Sequence, residues 1–269
     1  MNAKKVLFIN QEITPYVPES ELSMLGRNLP QAIQEKGNEI RTFMPKWGII
    51  NERRGQLHEV IRLSRMMLII DETDHPLIIK VASIPQTRIQ VYFIDNDDYF
   101  NKRLMEVDKQ GIEYNDNGER AIFFARGVLE TVKKLRWIPD IIHCQGWMSA
   151  IIPLYIKTAY HDEPSFATTK VVTSLFSHLP ASELNDDFRR GIAYKNAKSE
   201  LLDSYGKPFN FHELTKLAID YSDAIVEASD NVDASLTEYA IEAGKPLLRH
   251  PGEENLATAY DTFYDQLLV

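Results

Sequence analysis

Hydrophobic positions near the start of the chain form an apolar run, then a helical stripe, then a second run. The first run, Val6–Asn10, predicts a buried strand. The stripe has four members at helical spacing, namely Leu22, Leu25, Leu29 and Ile33. Ser20 is a typical helix N-cap and Gly37 a typical residue after a helix, so a helix is predicted over 20–36. The second run at 39–44 completes a β-α-β unit, which is typical of nucleotide- or sugar-binding α/β domains.

The middle of the chain combines short apolar runs with one long helical pattern. Runs at Leu57–Ser64, Met66–Asp71 and Thr87–Phe93 are separated by Pro and Asp and predict a small β insertion. Apolar residues recur at helical spacing over 118–134 and predict a long helix. Pro139–His143 then predicts a short buried strand.

The second half of the chain repeats strand and helix patterns. Strands are predicted over 170–175 and 224–227, and helices over 147–161, 186–197, 212–221, 232–243 and 253–268. Strands that alternate with helices predict a parallel sheet covered on both faces. The predicted fold is therefore α/β: a single Rossmann-like, doubly wound, mainly parallel sheet over residues 1–269, with a small β insertion. Ligands of such sheets bind beyond the carboxyl ends of the strands.

Composition narrows the class of protein. The chain has 269 residues, 44% of them hydrophobic, which suits one large domain. Its net charge of −9 argues against nucleic acid and anionic membranes as partners. The N-terminal residues lack the pattern of a signal peptide and no apolar run reaches about eighteen residues, so neither a signal peptide nor a membrane span is expected. One cysteine, Cys144, excludes an intrachain disulfide and predicts a cytoplasmic protein.

The loop after the first strand argues against phosphate binding. A phosphate-binding loop needs glycine backbone N–H groups and a cation. Residues 11–21 contain neither glycine nor lysine and carry three carboxylates, Glu12, Glu19 and Glu21. The sequence also lacks a P-loop, a dinucleotide fingerprint, a nucleophile elbow and a metal-ligand set. No cofactor and no metal is therefore expected.

Several segments follow one another in the order and spacing of a known family. They are Lys5–Tyr16, Leu29–Ile33, Gly37–Arg41, Met44–Trp47, Val91–Asn96, Tyr114–Phe124, Pro139–Trp147 and Ile152–Tyr155. Together they resemble the N-terminal half of bacterial glycogen and starch synthases, glycosyltransferases that use ADP-glucose. The resemblance implies one half of a GT-B glycosyltransferase, whose active site lies between two domains. It also implies that residues 1–269 are the acceptor-side half and that the chain stops where the first domain would end.

Three positions depart from that family's pattern. The lysine and the glycines of its first loop correspond here to Pro18, Glu19, Ser20 and Glu21. Carboxylates at this loop would repel a diphosphate, although an acidic helix start is itself favourable. The second histidine and the aspartate of its His-x-His-Asp-Trp turn correspond to Gln145 and Gly146, and its Thr-Ile-His-Asn turn to 174–177. No residue is therefore predicted to be catalytic.

The loops beyond the carboxyl ends of the strands form a rim of the predicted sheet. Other side chains on this rim are candidates for sugar binding. They offer aromatic faces, amides, imidazoles and carboxylates: Asp95, Asn96, Tyr99, His143, Gln145, Trp147 and His178. Structural alternatives stay open for three of them. His143 could be a structural strand-end histidine bonded to backbone, Trp147 a core residue, and His178 a surface-loop histidine.

Three functions are compatible with this sequence. In the first, the domain does not transfer glucose alone and is a regulatory module or binds a glucan or another small saccharide. In the second, a partner chain supplies the donor domain of a half-enzyme. In the third, the protein has a structural or interaction role with a closed cleft. The final helix, Glu253–Leu268, then caps the domain or forms a homodimer.

Overall fold

Ten strands and eight α-helices follow one another in the computed structural model, which describes residues 3–269. The strands are β1 Lys5–Asn10, β2 Glu39–Pro45, β3 His58–Glu59, β4 Met66–Ile70, β5 Thr73–Ser83, β6 Gln90–Asp95, β7 Ile141–Gln145, β8 Lys170–Leu175, β9 Ala224–Glu227 and β10 Leu247–Leu248. The helices are α1 Glu21–Glu35, α2 Glu52–Gly55, α3 Asn117–Leu135, α4 Ile152–Lys157, α5 Asp186–Gly191, α6 Phe211–Tyr221, α7 Ala234–Glu242 and α8 Leu256–Leu267.

The strands form one sheet in the order β10-β9-β8-β7-β1-β2-β6-β5-β3, and β4 pairs with β5. All pairs from β10 to β6 are parallel, whereas β3, β4 and β6 pair with β5 in the antiparallel sense. Phe8 in β1 lies opposite Thr42 in β2 and His143 in β7. The predicted α/β fold is confirmed, and the carboxyl ends of β1, β2, β7 and β8 meet at one edge of the sheet.

The β insertion is present, but its strands differ from the prediction. The long strand β5 was not predicted, because Asp74, His75 and Pro76 interrupt its apolar pattern. Leu57–Ser64 contains only the two-residue strand β3 and a turn. The run at 87–93 belongs to β6, which is a parallel neighbour of β2 in the main sheet.

Two predicted helices are shorter than expected, and one short strand was not predicted. The pattern at 147–161 divides into a 3-10 turn at Trp147–Ser149 and helix α4, with Pro153 in its first turn. The pattern at 186–197 contains only α5. Strand β10 is two residues long, too short for a periodic signal. Over residues 3–269, none of the helices combines the length and apolarity that crossing a bilayer requires.

Helix α1 begins as predicted and contains a proline whose missing hydrogen bond is compensated. The Ser20 hydroxyl accepts from the Ser23 N–H at 3.0 Å, and the Ser23 hydroxyl accepts from the Ser20 N–H at 2.8 Å. This reciprocal pair is a capping box. Pro30 has no N–H for the carbonyl of Gly26 four residues earlier. The Asn10 amide donates to that carbonyl instead, at 3.5 Å, and so ties α1 to the end of β1.

Helix α8 packs its aromatic face on this domain. Tyr260, Phe263 and Tyr264 are buried in a cluster with β1, β7, β8 and β9. At the edge of that cluster, the Lys4 ammonium lies 2.9 Å from Asp261 and 2.6 Å from Asp265. Of the two roles predicted for the final helix, the structure shows capping. The aromatic residues of its apolar face are buried against the sheet, and a homodimer through this helix stays a prediction.

Glu119 in the first turn of α3 is a half-buried carboxyl among other acids. Burial and the nearby charges of Asp116 and Asp187 raise its pKa from 4.5 to about 7. The folded protein therefore keeps a proton that the unfolded chain releases above pH 4.5. Stability from this group is complete below pH 4.5 and is lost as the pH rises through about 7.

Replacing Glu119 by glutamine is therefore expected to stabilise the protein above pH 7, by about 1 kcal/mol after allowance for solvent screening. The gain should vanish near pH 4, where the wild-type carboxyl is already neutral. Thermal unfolding of both proteins at several pH values measures this difference. Glu35→Gln on an exposed turn of α1 is the control, and an equal gain in that variant would contradict the assignment to Glu119.

Candidate functional site

Loops from three parallel strands meet around Gln11, the first residue after β1. Its N–H donates to the Gln145 carbonyl at 3.0 Å, and its carbonyl accepts from the Trp47 indole at 2.8 Å. Its side-chain oxygen accepts from the Met148 N–H at 3.4 Å. The loops after β1, β2 and β7 are thus joined at the edge of the sheet where parallel α/β proteins bind ligands.

The loop before α1 directs a carboxylate at the N-terminus of the helix. The Glu12 carboxylate accepts from the Ser20 hydroxyl at 2.7 Å and from the Gln11 amide at 3.1 Å. Burial raises the pKa of Glu12, and the charge of Glu106 adds to this effect, although both hydrogen bonds oppose it. Pro18, Glu19 and Glu21, the other positions of the altered loop, are all exposed. An acidic environment therefore surrounds this helix N-terminus.

Glu106 lies between the predicted residues Trp147 and His178. One of its oxygens accepts from the Trp147 indole at 3.0 Å, and the other is 2.7 Å from His178 Nε2. Trp147 is buried and packs edge-on against Phe211, with ring centroids 5.0 Å apart. The His178 side chain, in contrast, is 66% exposed. The structure thus brings two sugar-binding candidates together through a carboxylate that the sequence did not indicate.

The segment after β8 covers this part of the rim. Besides the His178 contact, the Glu113 carboxylate accepts from the Ala181 and Ser182 N–H groups at 2.7 and 2.9 Å. The cavity between this segment and Trp147 has a volume of only about 20 Å³. This is room for about one water molecule. A cavity of this size beside a buried tryptophan has no room for a sugar ring.

His143 is enclosed in the core and holds α8. Its Nδ1 lies 2.5 Å from the Tyr264 hydroxyl, and its Nε2 lies 2.7 Å from the Ser174 hydroxyl. Burial lowers its pKa to about 3, so the ring is neutral. Its side chain has no exposed surface, and this favours the structural alternative, with side chains instead of backbone as its partners. Sugar binding at His143 stays a prediction.

Gln145 has a different environment, although it lies two residues further along the same strand. Its side chain is fully buried, and neither amide atom has a hydrogen-bond partner within residues 3–269. It pairs in register with Asn10 and Ser174 on the two neighbouring strands. A buried amide without partners destabilises a protein by about 1–3 kcal/mol relative to a bonded one. Both polar atoms of Gln145 are therefore left for a partner that residues 3–269 do not supply.

The sugar-binding candidates at the end of β6 and just after it make contacts that stabilise the fold. Asp95 forms an ion pair with Lys80 at 2.8 Å. The Asn96 oxygen accepts from the Asp98 and Tyr99 N–H groups at 2.9 and 3.1 Å and so caps the following turn. The Tyr99 hydroxyl lies 3.2 Å from the His75 ring. All three residues are buried and have contacts within the fold, although Asp95 Oδ1 has no hydrogen-bond partner within residues 3–269, and sugar binding by them stays a prediction.

Arg120 holds the segment that carries Glu106. Its guanidinium donates to the carbonyls of Tyr99 and Met105 at 2.8 and 2.7 Å and to the Asn117 oxygen at 2.7 Å. It also stacks 5.1 Å from the Trp47 ring centre. The side chain is fully buried. Neither Arg120 nor Glu106 was predicted as a site residue, since their roles depend on tertiary contacts.

The described part of the chain contains neither a group of metal ligands nor an accessible thiol. Residues 3–269 contain no group of three or more His, Cys, Asp or Glu side chains that could hold a metal ion. Cys144 is fully buried, and burial raises the pKa of its thiol. The thiol is therefore protonated and lies away from solvent.

The fold corresponds to that of a solved glycosyltransferase. The catalytic domain of starch synthase IV from Arabidopsis thaliana, bound to ADP and acarbose, superposes with a TM-score of 0.72 at 16% sequence identity. The match covers 93% of this chain and 51% of that one. The parallel sheet with its ligand edge thus defines this chain as a Rossmann-like half of the GT-B glycosyltransferase fold.

Sequence comparisons give the family. The family model described as starch synthase catalytic domain matches residues 5–248. Glycogen synthase from Chlorobium luteolum is 41% identical over 172 residues, 64% of this chain and 35% of that protein. Glycogen synthase from Chlorobium limicola is 35% identical over 235 residues, 87% of this chain and 43% of that protein. The chain belongs to the starch synthase catalytic domain family, and it spans less than half the length of these relatives.

Proposed function

We propose that residues 1–269 form a saccharide-binding or regulatory domain whose first loop does not hold the diphosphate of ADP-glucose. The arrangement at the N-terminus of α1 carries this proposal. The Ser23 N–H there is already bonded to the Ser20 hydroxyl, and Ser20 also donates to the Glu12 carboxylate. A diphosphate at this place would find one backbone N–H group already bonded, and it would face the carboxylates of Glu12, Glu19 and Glu21.

Saccharide binding is supported by the chemistry of the rim. The carboxylate of Glu106 and the amide of Gln145 can bond sugar hydroxyls, and the Trp147 ring can stack on a sugar face. A glycosyltransferase with the same fold is described as bound to ADP and acarbose. Because the cavity at Trp147 is small, we propose that a saccharide displaces His178 from Glu106 when it binds.

Isothermal titration with maltoheptaose and with ADP-glucose tests the proposal. Maltoheptaose is expected to bind, and ADP-glucose is expected to show no micromolar affinity. Gln145→Leu should weaken maltoheptaose binding about tenfold. The same variant should unfold at an equal or higher temperature, because it removes a buried amide that has no partner in the free protein. A purely structural role for Gln145 would instead lower the unfolding temperature.

A second set of variants tests the loop itself. Combining Pro18→Lys, Ser20→Gly and Glu21→Gly is expected to raise ADP-glucose affinity at least about tenfold, because it adds a cation and removes a carboxylate. Glu35→Lys, at the other end of α1, makes the same change in net charge and should have no effect. An equal gain from Glu35→Lys would mean that overall charge, and not the loop, governs binding.

Other results of the titrations would favour the half-enzyme or the structural role. Micromolar binding of ADP-glucose to the unmodified chain would overturn the proposal and favour a half-enzyme completed by a donor domain. Failure to bind either maltoheptaose or ADP-glucose would favour a structural role with a closed cleft.

A further inference from the structure

A cavity of about 540 Å³ lies apart from the rim around Trp147. It opens between the β1–α1 loop, the segment that follows β2 and the end of β5. Its apolar wall consists of Pro15, Ile49, Ile50 and Pro85, and its polar wall consists of Asn51, Arg54, Gln56 and Ser83. Small-molecule sites in proteins usually measure about 300–1,000 Å³ and combine apolar walls with a few polar groups. The cavity therefore has the size and composition of a binding site for a small molecule.

Tyr16 also lines this cavity and carries a hydroxyl that the fold leaves unpaired. The residue is only 8% exposed, and its hydroxyl has no hydrogen-bond partner in the described part of the chain. Its ring packs edge-on against Phe93, with centroids 4.9 Å apart. Burial raises the pKa of Tyr16 to about 12, although the nearby charge of Arg27 opposes this. The phenol is therefore neutral at any ordinary pH, but its oxygen is enclosed, so Tyr16 contributes its ring and not its hydroxyl to the cavity wall.

The charge around the cavity is positive, in contrast to the chain as a whole. The guanidinium of Arg54 forms no ion pair within residues 3–269. Arg27 lies outside the cavity lining and donates to the carbonyl of the lining residue Pro85 at 3.4 Å. Glu52, the carboxylate in α2, is neutralised by Lys46 at 2.9 Å and by Lys80 at 2.7 Å. On a chain with a net charge of −9, an unpaired arginine as the one charged side chain that lines the cavity within residues 3–269 favours an anion at this place.

We propose that this cavity binds a small phosphate ester that carries hydroxyl groups, of the size of a sugar phosphate. The Arg54 guanidinium is a donor fork that fits phosphate oxygens. The Asn51 and Gln56 amides and the Ser83 hydroxyl are suitable partners for sugar hydroxyls. Ile50 and Pro85 supply apolar surface for the ring. Inorganic phosphate shares the anionic part of this chemistry but cannot use the amides and the apolar wall.

Isothermal titration of the intact chain with glucose 6-phosphate, inorganic phosphate and glucose tests this site. Glucose 6-phosphate is expected to bind with a Kd below about 1 mM, and inorganic phosphate about tenfold more weakly. Glucose alone is expected to show no measurable binding. Added salt should weaken the binding of both anions, because the main contact is ionic.

Three single variants locate the binding. Arg54→Gln should weaken glucose 6-phosphate binding about tenfold. Asn51→Asp should do the same by adding a negative charge, while its side chain still accepts from the Arg54 N–H, as Asn51 does at 2.9 Å. Arg62→Gln removes an exposed arginine that does not line the cavity and should leave the affinity unchanged. Circular dichroism verifies the fold of each variant, and Asn51→Asp decides the test if Arg54→Gln does not fold.

Several results would overturn the proposal. The first is no binding of glucose 6-phosphate at about 10 mM. The second is equal affinity for glucose 6-phosphate and inorganic phosphate, which would show an anion site without sugar recognition. The third is an equal loss of binding in Arg62→Gln and Arg54→Gln, which would show a diffuse effect of surface charge.

Discussion

Replacing His143 by leucine is expected to lower the free energy of unfolding by about 3–5 kcal/mol. The leucine is similar in size but leaves the Tyr264 and Ser174 hydroxyls buried without their partner. Because these contacts join α8 to the sheet, the helix should exchange its amide protons faster in the variant. Urea denaturation and hydrogen exchange measure the two effects.

The pH dependence of the same variant gives a separate test. Burial lowers the pKa of His143 from 6.5 to about 3, so only the unfolded chain takes up a proton between these values. The wild-type protein should therefore lose stability through this group as the pH falls from 6.5 towards 3. His143→Leu should lack this part of the acid sensitivity. His161→Leu, at an exposed position, is the control and should change stability by no more than about 0.5 kcal/mol. If His143→Leu lowers the free energy of unfolding by less than about 1 kcal/mol, His143 does not hold α8 to the sheet.

Replacing Arg120 by alanine is expected to have an effect of similar size, about 3–5 kcal/mol. The change leaves the carbonyls of Tyr99 and Met105 without their donor and opens a space beside Trp47. Because these contacts hold the segment that carries Glu106, the Trp147 indole should lose its hydrogen-bond acceptor. Chemical denaturation measures the loss of stability, and a change in tryptophan fluorescence reports the altered site.

Arg103→Ala provides the comparison for Arg120. Arg103 forms an ion pair with Asp116 at 2.6 Å, but its side chain is 28% exposed. Partly exposed pairs contribute about 0–1 kcal/mol. Equal effects of Arg103→Ala and Arg120→Ala would show that the buried contacts of Arg120 add nothing beyond its charge.

The alternation of strands and helices could be predicted from the sequence because burial determines it locally. Strand β8 and helix α1 have apolar positions at the spacing that their buried faces require. Strand β5 could not be predicted in this way. Its first half lies in a two-stranded hairpin with β4, where Asp74 and Pro76 are tolerated at exposed positions.

The candidate site was predicted less well than the fold. Ser20 was predicted as an N-cap because capping is a local interaction. The hydrogen bond by which His143 holds α8 depends on Tyr264, which lies 121 residues further along the chain. Glu106 lies outside any helix or long strand, and its contact with His178 is fixed only by the folded chain. Interactions between distant segments leave no periodic pattern in one sequence.

The position of α8 has a consequence for folding during synthesis. The ammonium of Lys4 and the carboxylate of Asp265 are joined across 261 residues. Until the ribosome has released α8, the apolar surface formed by Val6, Phe8 and Ile141 has no cover from this helix. Contacts of such long sequence separation form slowly, and uncovered apolar surface favours aggregation. We therefore expect nascent chains that lack α8 to depend on chaperones.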